Sequence, residues 1–424
     1  MQEKKIISLI FIVTNFSFFY ITPKVFSFPL SVFPFLYYLL RAELILFSFF
    51  LVPVLYSLYV KSIKHKYKQS IAAVGILFLL LFYVAELFLT FYPETNGTNN
   101  TYCSKTWMYY YWKQNKQGFR DIEFQTMLGN GKHNIVFVGD SYTQGHGIKN
   151  PKDRVSDLCR KAFPDFNIFN LGKNGMDINN EVRLITTLPI HPDVIVLQIC
   201  SNDWDYLIPQ NKSVLNTDNK LLLAAFSDFS CADYSILLNY LKPKLGNIAE
   251  KLLFSDLNKN EIEKIYTTYN IDKLNTIKSR NNLQVLEYAV SHSGLPYDSI
   301  QNRTFEVFKQ FNSSLKVLTD SSMFNRYLDK LEEVKLFCEQ RQVSFIVIPY
   351  PAMDKFSMTI TERYINPYLC NLISGRGIKC LDIYPALKKA NLDTYTVNNS
   401  DNHINEKASK IVADTLVNYL RHNL

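Results

Sequence analysis

Residues 134 to 147 read Asn-Ile-Val-Phe-Val-Gly-Asp-Ser-Tyr-Thr-Gln-Gly-His-Gly, and they constrain the fold more than any other stretch. An apolar run of strand length stops at a glycine-flanked turn, and the apex of that turn carries one hydroxyl, Ser141. A short, uninterrupted apolar run is the pattern of a strand buried on both faces, as in a parallel sheet covered by helices. A serine on a sharp strand-to-helix turn has its oxygen at the C-terminal edge of such a sheet, in front of a helix N-terminus. Alone, Gly-Asp-Ser is a weak signal, because any strand can end in such a turn.

Further segments repeat the pattern. Phe166–Asn170 ends in a loop holding Gly172 and Gly175, and the apolar run Asp193–Cys200 ends in Ser201-Asn202-Asp203. Val343–Ile348 and Gly377–Tyr384 read as two more strands, with Phe324, Tyr327, Leu328, Leu331, Val334 and Cys338 forming a helix face before them. Asp401-Asn402-His403 stands just ahead of a last amphipathic helix with Ala408, Ile411, Val412, Leu416 and Tyr419 at helical spacing. Helices alternating with short apolar strands predict a three-layer α/β/α sandwich around a mostly parallel five-stranded sheet with right-handed crossovers.

Ser, Gly, Asn and His thus follow one another in that chain order, the first three at strand ends. Over about residues 134 to 420 the chain resembles the SGNH (GDSL-type) hydrolase superfamily. The resemblance implies Ser141 as nucleophile, His403 as base and Asp401 as the acid behind it. It also implies an oxyanion hole of Ser141, Gly175 and Asn202. Two positions depart from the family pattern. The third block, usually G-x-N-D, reads Cys200-Ser201-Asn202-Asp203, and the last pair is spaced D-x-H where many members have D-x-x-H, a position held here by Ser400. The shorter spacing is similar to that of membrane-anchored members acting on bacterial surface polymers. The residue types suit the chemistry: a serine hydroxyl needs a base within reach, and a carboxylate fixes the tautomer of that base.

Other candidates carry plainer readings. His146, five residues past Ser141, reads as a helix-start or surface histidine that sits on the serine's own turn instead of facing it. His191 reads as a loop residue before a strand. Asp140 and Asp203 read as turn and helix caps, aspartate being a preferred capping side chain. Trp204 and Tyr206 suit a sugar-binding cleft and a core equally well.

The first ninety residues bear on location. Ile6–Thr22, Leu44–Val60 and Ile71–Tyr92 approach the length of a bilayer crossing, the third interrupted by Glu86 alone. Lys4 and Lys5 precede the first run, and Lys61, Lys64, Lys66 and Lys68 lie between the second and third, so the positive-inside rule puts both clusters in the cytoplasm. Three crossings then leave everything after residue 93 outside. Val25–Leu40 carries Pro29 and Pro34 and reads as re-entrant or interfacial, and Thr22-Pro23-Lys24 offers no cleavage pattern. The expected organisation is an anchor over 1–92, a linker over 93–133, and a hydrolase-like domain over 134–424 with a helical insert at about 205–330. That is a multi-pass protein of the bacterial inner membrane with an extracytoplasmic domain.

The net charge of +8 argues against nucleic acid once it is mapped: residues 1–70 hold eight Lys/Arg against two Asp/Glu, so most of the excess marks topology. Seven cysteines with no metal-like spacing predict no zinc site, and the serine chemistry calls for no metal or cofactor. The Asn96 and Asn99 sequons matter only in a glycosylating host. Three function classes stay open. The first is a membrane-tethered serine esterase removing O-acyl groups, foremost O-acetyl, from a cell-surface glycan. The second is an O-acyltransferase using the same site with a membrane-embedded acyl donor. The third is an inactive glycan-binding or assembly protein.

Overall fold

The computed structural model of the chain describes residues 42–43, 45–49, 51, 54, 66–97, 101–188, 190–200, 203, 235–242, 244–245, 321–353, 358 and 362–423. The chain divides into two units, Met1–Trp112 with Leu215–Ala249, and Lys113–Val214 with Glu250–Leu424.

In the first unit α1 spans Lys66–Phe91 and α2 spans Tyr102–Tyr111. Within α1, Gln69–Phe91 is long and apolar enough to cross a membrane, with a mean hydropathy of 2.5 over its most apolar window. Ile71, Val74, Phe78, Leu81 and Phe88 stand exposed along it, an arrangement stable in water only if something apolar covers it. Of the other two expected crossings, 6–22 lies outside the described residues and 44–60 is described only in part. There, Ile45 packs with Tyr83. Val25–Leu40 also lies outside the described residues, as does most of the expected insert. Of its described residues, 235–242 and 244–245, helical over 236–242, belong to the first unit, whereas 321–330 belong to the second and form the start of a longer helix. Glu86 of α1 explains why the 236–242 helix docks there. It is fully buried, and its carboxylate accepts the Ser235 hydroxyl and the N–H groups of Ile236 (3.1 Å) and Leu237 (3.0 Å). Those N–H groups at the start of a helix lack intrahelical partners, and an anion satisfies them.

The second unit is an α/β sandwich. Its elements in chain order are β1 (His133–Val138), α3 (Ser141–Gln144), α4 (Val155–Ala162), β2 (Phe166–Asn170), α5 (Ile178–Thr186), β3 (Val194–Ile199), α6 (Ser321–Glu339), β4 (Ser344–Pro349), α7 (Glu362–Ser374), β5 (Lys379–Cys380), α8 (Tyr384–Ala390), β6 (Thr396–Asn398), β7 (Asp401–Ile404) and α9 (Glu406–Asn423). The five-stranded sheet runs β2-β1-β3-β4-β5 with every pair parallel. Alternate side chains of each strand enter opposite cores. Val136, Val138, Ile195 and Leu197 pack with α5, α6 and α7, while Ile135, Phe137, Val194 and Val196 pack with α4, α8 and α9. These are the expected three layers. The β6–β7 hairpin is antiparallel and stands apart from the sheet.

Two segments differ from the sequence reading. The run 377–384 contributes only two residues to the sheet, because Asp382 accepts the Tyr384 N–H at 2.9 Å and, with Pro385, starts α8. The expected linker, 93–133, is split between the units at Trp112. Beyond that point Phe124 and Met127 are buried in the sandwich core, and Arg120 is 1% exposed.

Candidate active site

Asp140 ends the loop after β1 and caps α3, its side chain accepting the Tyr142 N–H at 2.9 Å. Ser141 is therefore the first residue of a four-residue helix, at the C-terminal edge of the sheet. Three ties fix that turn. Gln198 of β3 accepts the Thr143 hydroxyl at 2.7 Å and its N–H at 3.0 Å. Asn170, at the end of β2, donates to the Thr143 carbonyl at 2.7 Å. Gly172 presses so close that a Cβ there would collide with the backbone N of Gln144.

The β6–β7 hairpin brings the partners. Asp401 Oδ1 accepts the His403 backbone N–H at 3.1 Å and lies 2.5 Å from His403 Nδ1. One carboxylate oxygen thus takes two N–H groups of the same residue, which is what a spacing of two on a strand allows. His403 Nε2 lies 2.6 Å from Ser141 Oγ. The structure therefore joins Ser141, His403 and Asp401 in one hydrogen-bonded series, with Asp401 fully buried. Ser400 donates its N–H to Asn398 at 2.8 Å, within the hairpin. The Tyr142 hydroxyl reaches the Asn402 carbonyl at 3.1 Å and ties the hairpin to α3.

Gly175 takes φ +73° in the exposed loop after β2, at the same edge of the sheet as Ser141. Asn202, Trp204 and Tyr206 lie outside the described residues. Cys200, at the departure from the family pattern, is buried and donates to Asp140 at 3.3 Å. Asp203 accepts the Cys200 N–H at 2.6 Å, in keeping with a turn cap. His191 is an exposed loop residue before β3.

His146 is not a surface histidine: it is 0% exposed. Gly145 takes φ +74°, a left-handed conformation that closes α3 and folds the chain back. The His146 ring then lies on the His403 ring, centroids 4.4 Å apart, with Nε2 3.5 Å from Asp401 Oδ2. Burial, the His403 ring and Arg120 outweigh the attraction of Asp401 and hold the His146 imidazole down at about 4. It is neutral at physiological pH. The Tyr142 ring also lies against His403, centroids 5.0 Å apart.

Arg120 escaped the sequence reading because it sits in the expected linker. Its guanidinium donates to the carbonyls of Gly145 and Ile148, which bracket His146. Arg154 donates to the Arg120 carbonyl and pairs with Asp157. Beneath the same edge, Glu181 and Asp203 are buried, and their carboxyls are pushed well above the usual range by burial and then by neighbouring acids, Asp140 among them.

Among the described residues, His146, Asp401 and His403 form the group whose ligand-type atoms all lie within 4.8 Å of one another. Both ring nitrogens of His403 are already engaged, so the arrangement suits proton transfer better than cation binding. A polarised serine at a sheet edge can attack an acyl carbon, with the imidazole holding the proton.

No family model matches the chain, and no curated protein matches it. Among solved structures it is similar to a member of the lipolytic G-D-S-L family from Veillonella parvula, at 11% identity over 68% of this chain and 97% of that one, with a TM-score of 0.31. It is also similar to an acetyl xylan esterase, at 13% identity over 67% of this chain and 97% of that one, with a TM-score of 0.32.

Proposed function

We propose that the chain is a serine esterase of the SGNH type, tethered to the membrane, that removes O-acetyl groups from an extracytoplasmic glycan. The observation that carries the reading is the unbroken series Asp401 Oδ1, His403 Nδ1, His403 Nε2, Ser141 Oγ, with links of 2.5 and 2.6 Å. His403 takes the Ser141 proton as the oxygen attacks the ester carbonyl, and Asp401 stabilises the imidazolium that forms. The oxyanion is held by the backbone N–H groups of Ser141 and Gly175 and the Asn202 amide. His403 then protonates the departing sugar alcohol, leaving an acyl-Ser141. Water, deprotonated by the same imidazole, releases the acid. The exposed apolar row on α1 supports the tether, since lipid is the apolar medium such a surface requires.

The test is labelling of the full-length protein in detergent with a serine-directed fluorophosphonate. One adduct is expected, at Ser141 by mass spectrometry, absent in Ser141→Ala and in His403→Ala. A serine without base and oxyanion donors reacts too slowly to be trapped. Turnover of a chromogenic acetyl ester, with and without an oligosaccharide acceptor, separates hydrolysis from transfer. A folded wild type that stays unlabelled beside a known serine esterase would overturn the reading.

A further inference from the structure

We propose that His146 is a positioning residue of this site: a neutral hydrogen-bond donor to the second oxygen of Asp401 that holds the carboxylate in register with His403. The inference rests on the serine-enzyme reading above and assigns a role to a residue outside its triad.

Asp401 Oδ1 is committed to two N–H groups of His403, which leaves Oδ2 to define the rotation of the carboxylate plane. Oδ2 is buried at 0% exposure, where no solvent supplies a donor, and His146 Nε2 stands 3.5 Å from it. That is longer than a settled N–H···O bond, and such contacts commonly tighten when charge develops. The charge that develops here is the His403 imidazolium. A proton on His146 Nε2 favours Asp401 in its ionised form and opposes its capture of the His403 proton.

The donor must also be uncharged. The His146 and His403 rings are 4.4 Å apart, so a cationic His146 would oppose the imidazolium that the reaction needs. Among the described residues, charged or titratable groups facing His146 include His403 and Asp401 from β7 and Arg120 from the segment ahead of β1. Burial among them keeps the ring neutral. Arg120 contributes in a second way, because its bonds to the Gly145 and Ile148 carbonyls fix the backbone on both sides of His146. The ring is thereby held from outside the hairpin, and the carboxylate is gripped from two independent parts of the chain.

The experiment compares full-length wild type, His146→Gln and His146→Phe in detergent. Glutamine keeps an uncharged donor; phenylalanine keeps the ring and removes it. For His146→Phe, kcat on an acetyl ester should fall on the order of tenfold to a hundredfold, with KM within about twofold. The acidic limb of its pH–rate profile should move up, because losing this donor leaves more of the Asp401 charge to favour the imidazolium of the reaction. His146→Gln should keep the wild-type limb and most of the rate. Equal losses in both variants, tracking loss of thermal midpoint with an unmoved limb, would show a merely structural role and overturn the proposal. So would a His146→Phe enzyme with wild-type kcat and limb. Should His146→Phe not fold, 15N NMR of histidine-labelled wild type decides. His146 should stay neutral with its proton on Nε2 between about pH 5 and 8, and a proton on Nδ1 or a charged ring at neutral pH rejects the role. Fluorophosphonate labelling of the wild type is run alongside. An unlabelled, folded wild type sinks the serine-enzyme reading and the inference with it, whereas a labelled wild type with indifferent His146 variants sinks the inference alone.

Discussion

Glu86 in the first unit and Glu181 in the second are both 0% exposed, and the two units accommodate them in opposite ways. Glu86 meets a hydroxyl and two backbone N–H groups at a helix start, from residues 149 to 151 positions later in the chain. Neither Glu181 oxygen has a hydrogen-bond donor among the described residues, and its neighbours are Asp140 and Asp177, themselves acids. The first carboxylate has donors in place of its water. The second is stable only with its proton on. One buried glutamate is thus a clasp on a distant segment, and the other is a pH-dependent element of the layer under the Ser141 turn.

The largest effect should come from opening the clasp. Glu86→Ala leaves the donors of the 236–242 helix unpaired, at a cost on the order of 4 kcal/mol. Limited proteolysis should then cut within 215–249, and an unchanged cleavage pattern would break the comparison on its first side. Next is the acid limb of stability, which sharpens it. The His146 pKa is depressed from 6.5 to about 4, so the unfolded chain takes up this proton first. Stability held above the unfolded value is lost as pH falls through that window, by about 3 kcal/mol for a drop from 6.5 to about 4. His146→Phe should flatten thermal midpoint against pH there.

Glu181 has the opposite sign and a smaller effect. Its folded pKa is raised, so its contribution is complete below the unfolded value of 4.5 and is lost as pH rises toward the folded one. Glu181→Gln should raise the midpoint by about 3 °C at alkaline pH and change it little in acid. A uniform shift at every pH would mean that Glu181 is not held protonated. The smallest effect belongs to Lys244, paired with Glu94 at 3.2 Å but 34% exposed. Lys244→Met should cost under about 1 kcal/mol, because solvent screens the pair. A loss approaching that of Glu86→Ala would place the hold on the insert helix in the wrong residue.

The sequence made strands β1 to β4 legible because a strand buried on both faces is apolar throughout. It overstated β5: Ile378, Leu381 and Ile383 are apolar, yet Asp382 and Pro385 divert the chain into a helix after two paired residues. Ser141, Asp401 and His403 were legible because each sits where a strand or turn fixes its direction. His146 was not, since its burial depends on a left-handed glycine and a hairpin 255 residues away. Gln198 was hidden inside an apolar run, and Arg120 in a stretch with no periodicity. Glu86 read as a blemish in a spanning segment, because its partners lie 149 residues or more downstream.

Asp401 and His403 occupy one short strand, joined by two bonds to a single oxygen. Mechanically the Asp401–His403–Ser141 series is therefore two bodies and one joint. The acid–base distance is internal to the hairpin and survives any movement of it as a whole, while the 2.6 Å between His403 and Ser141 spans the gap between hairpin and sheet. Displacing the hairpin by one or two ångströms would disconnect the serine and leave the proton-accepting pair intact. The junction between hairpin and sheet is thus the coordinate that the proposed chemistry depends on, and whatever presses on the Tyr142–Asn402 contact has a direct lever on it.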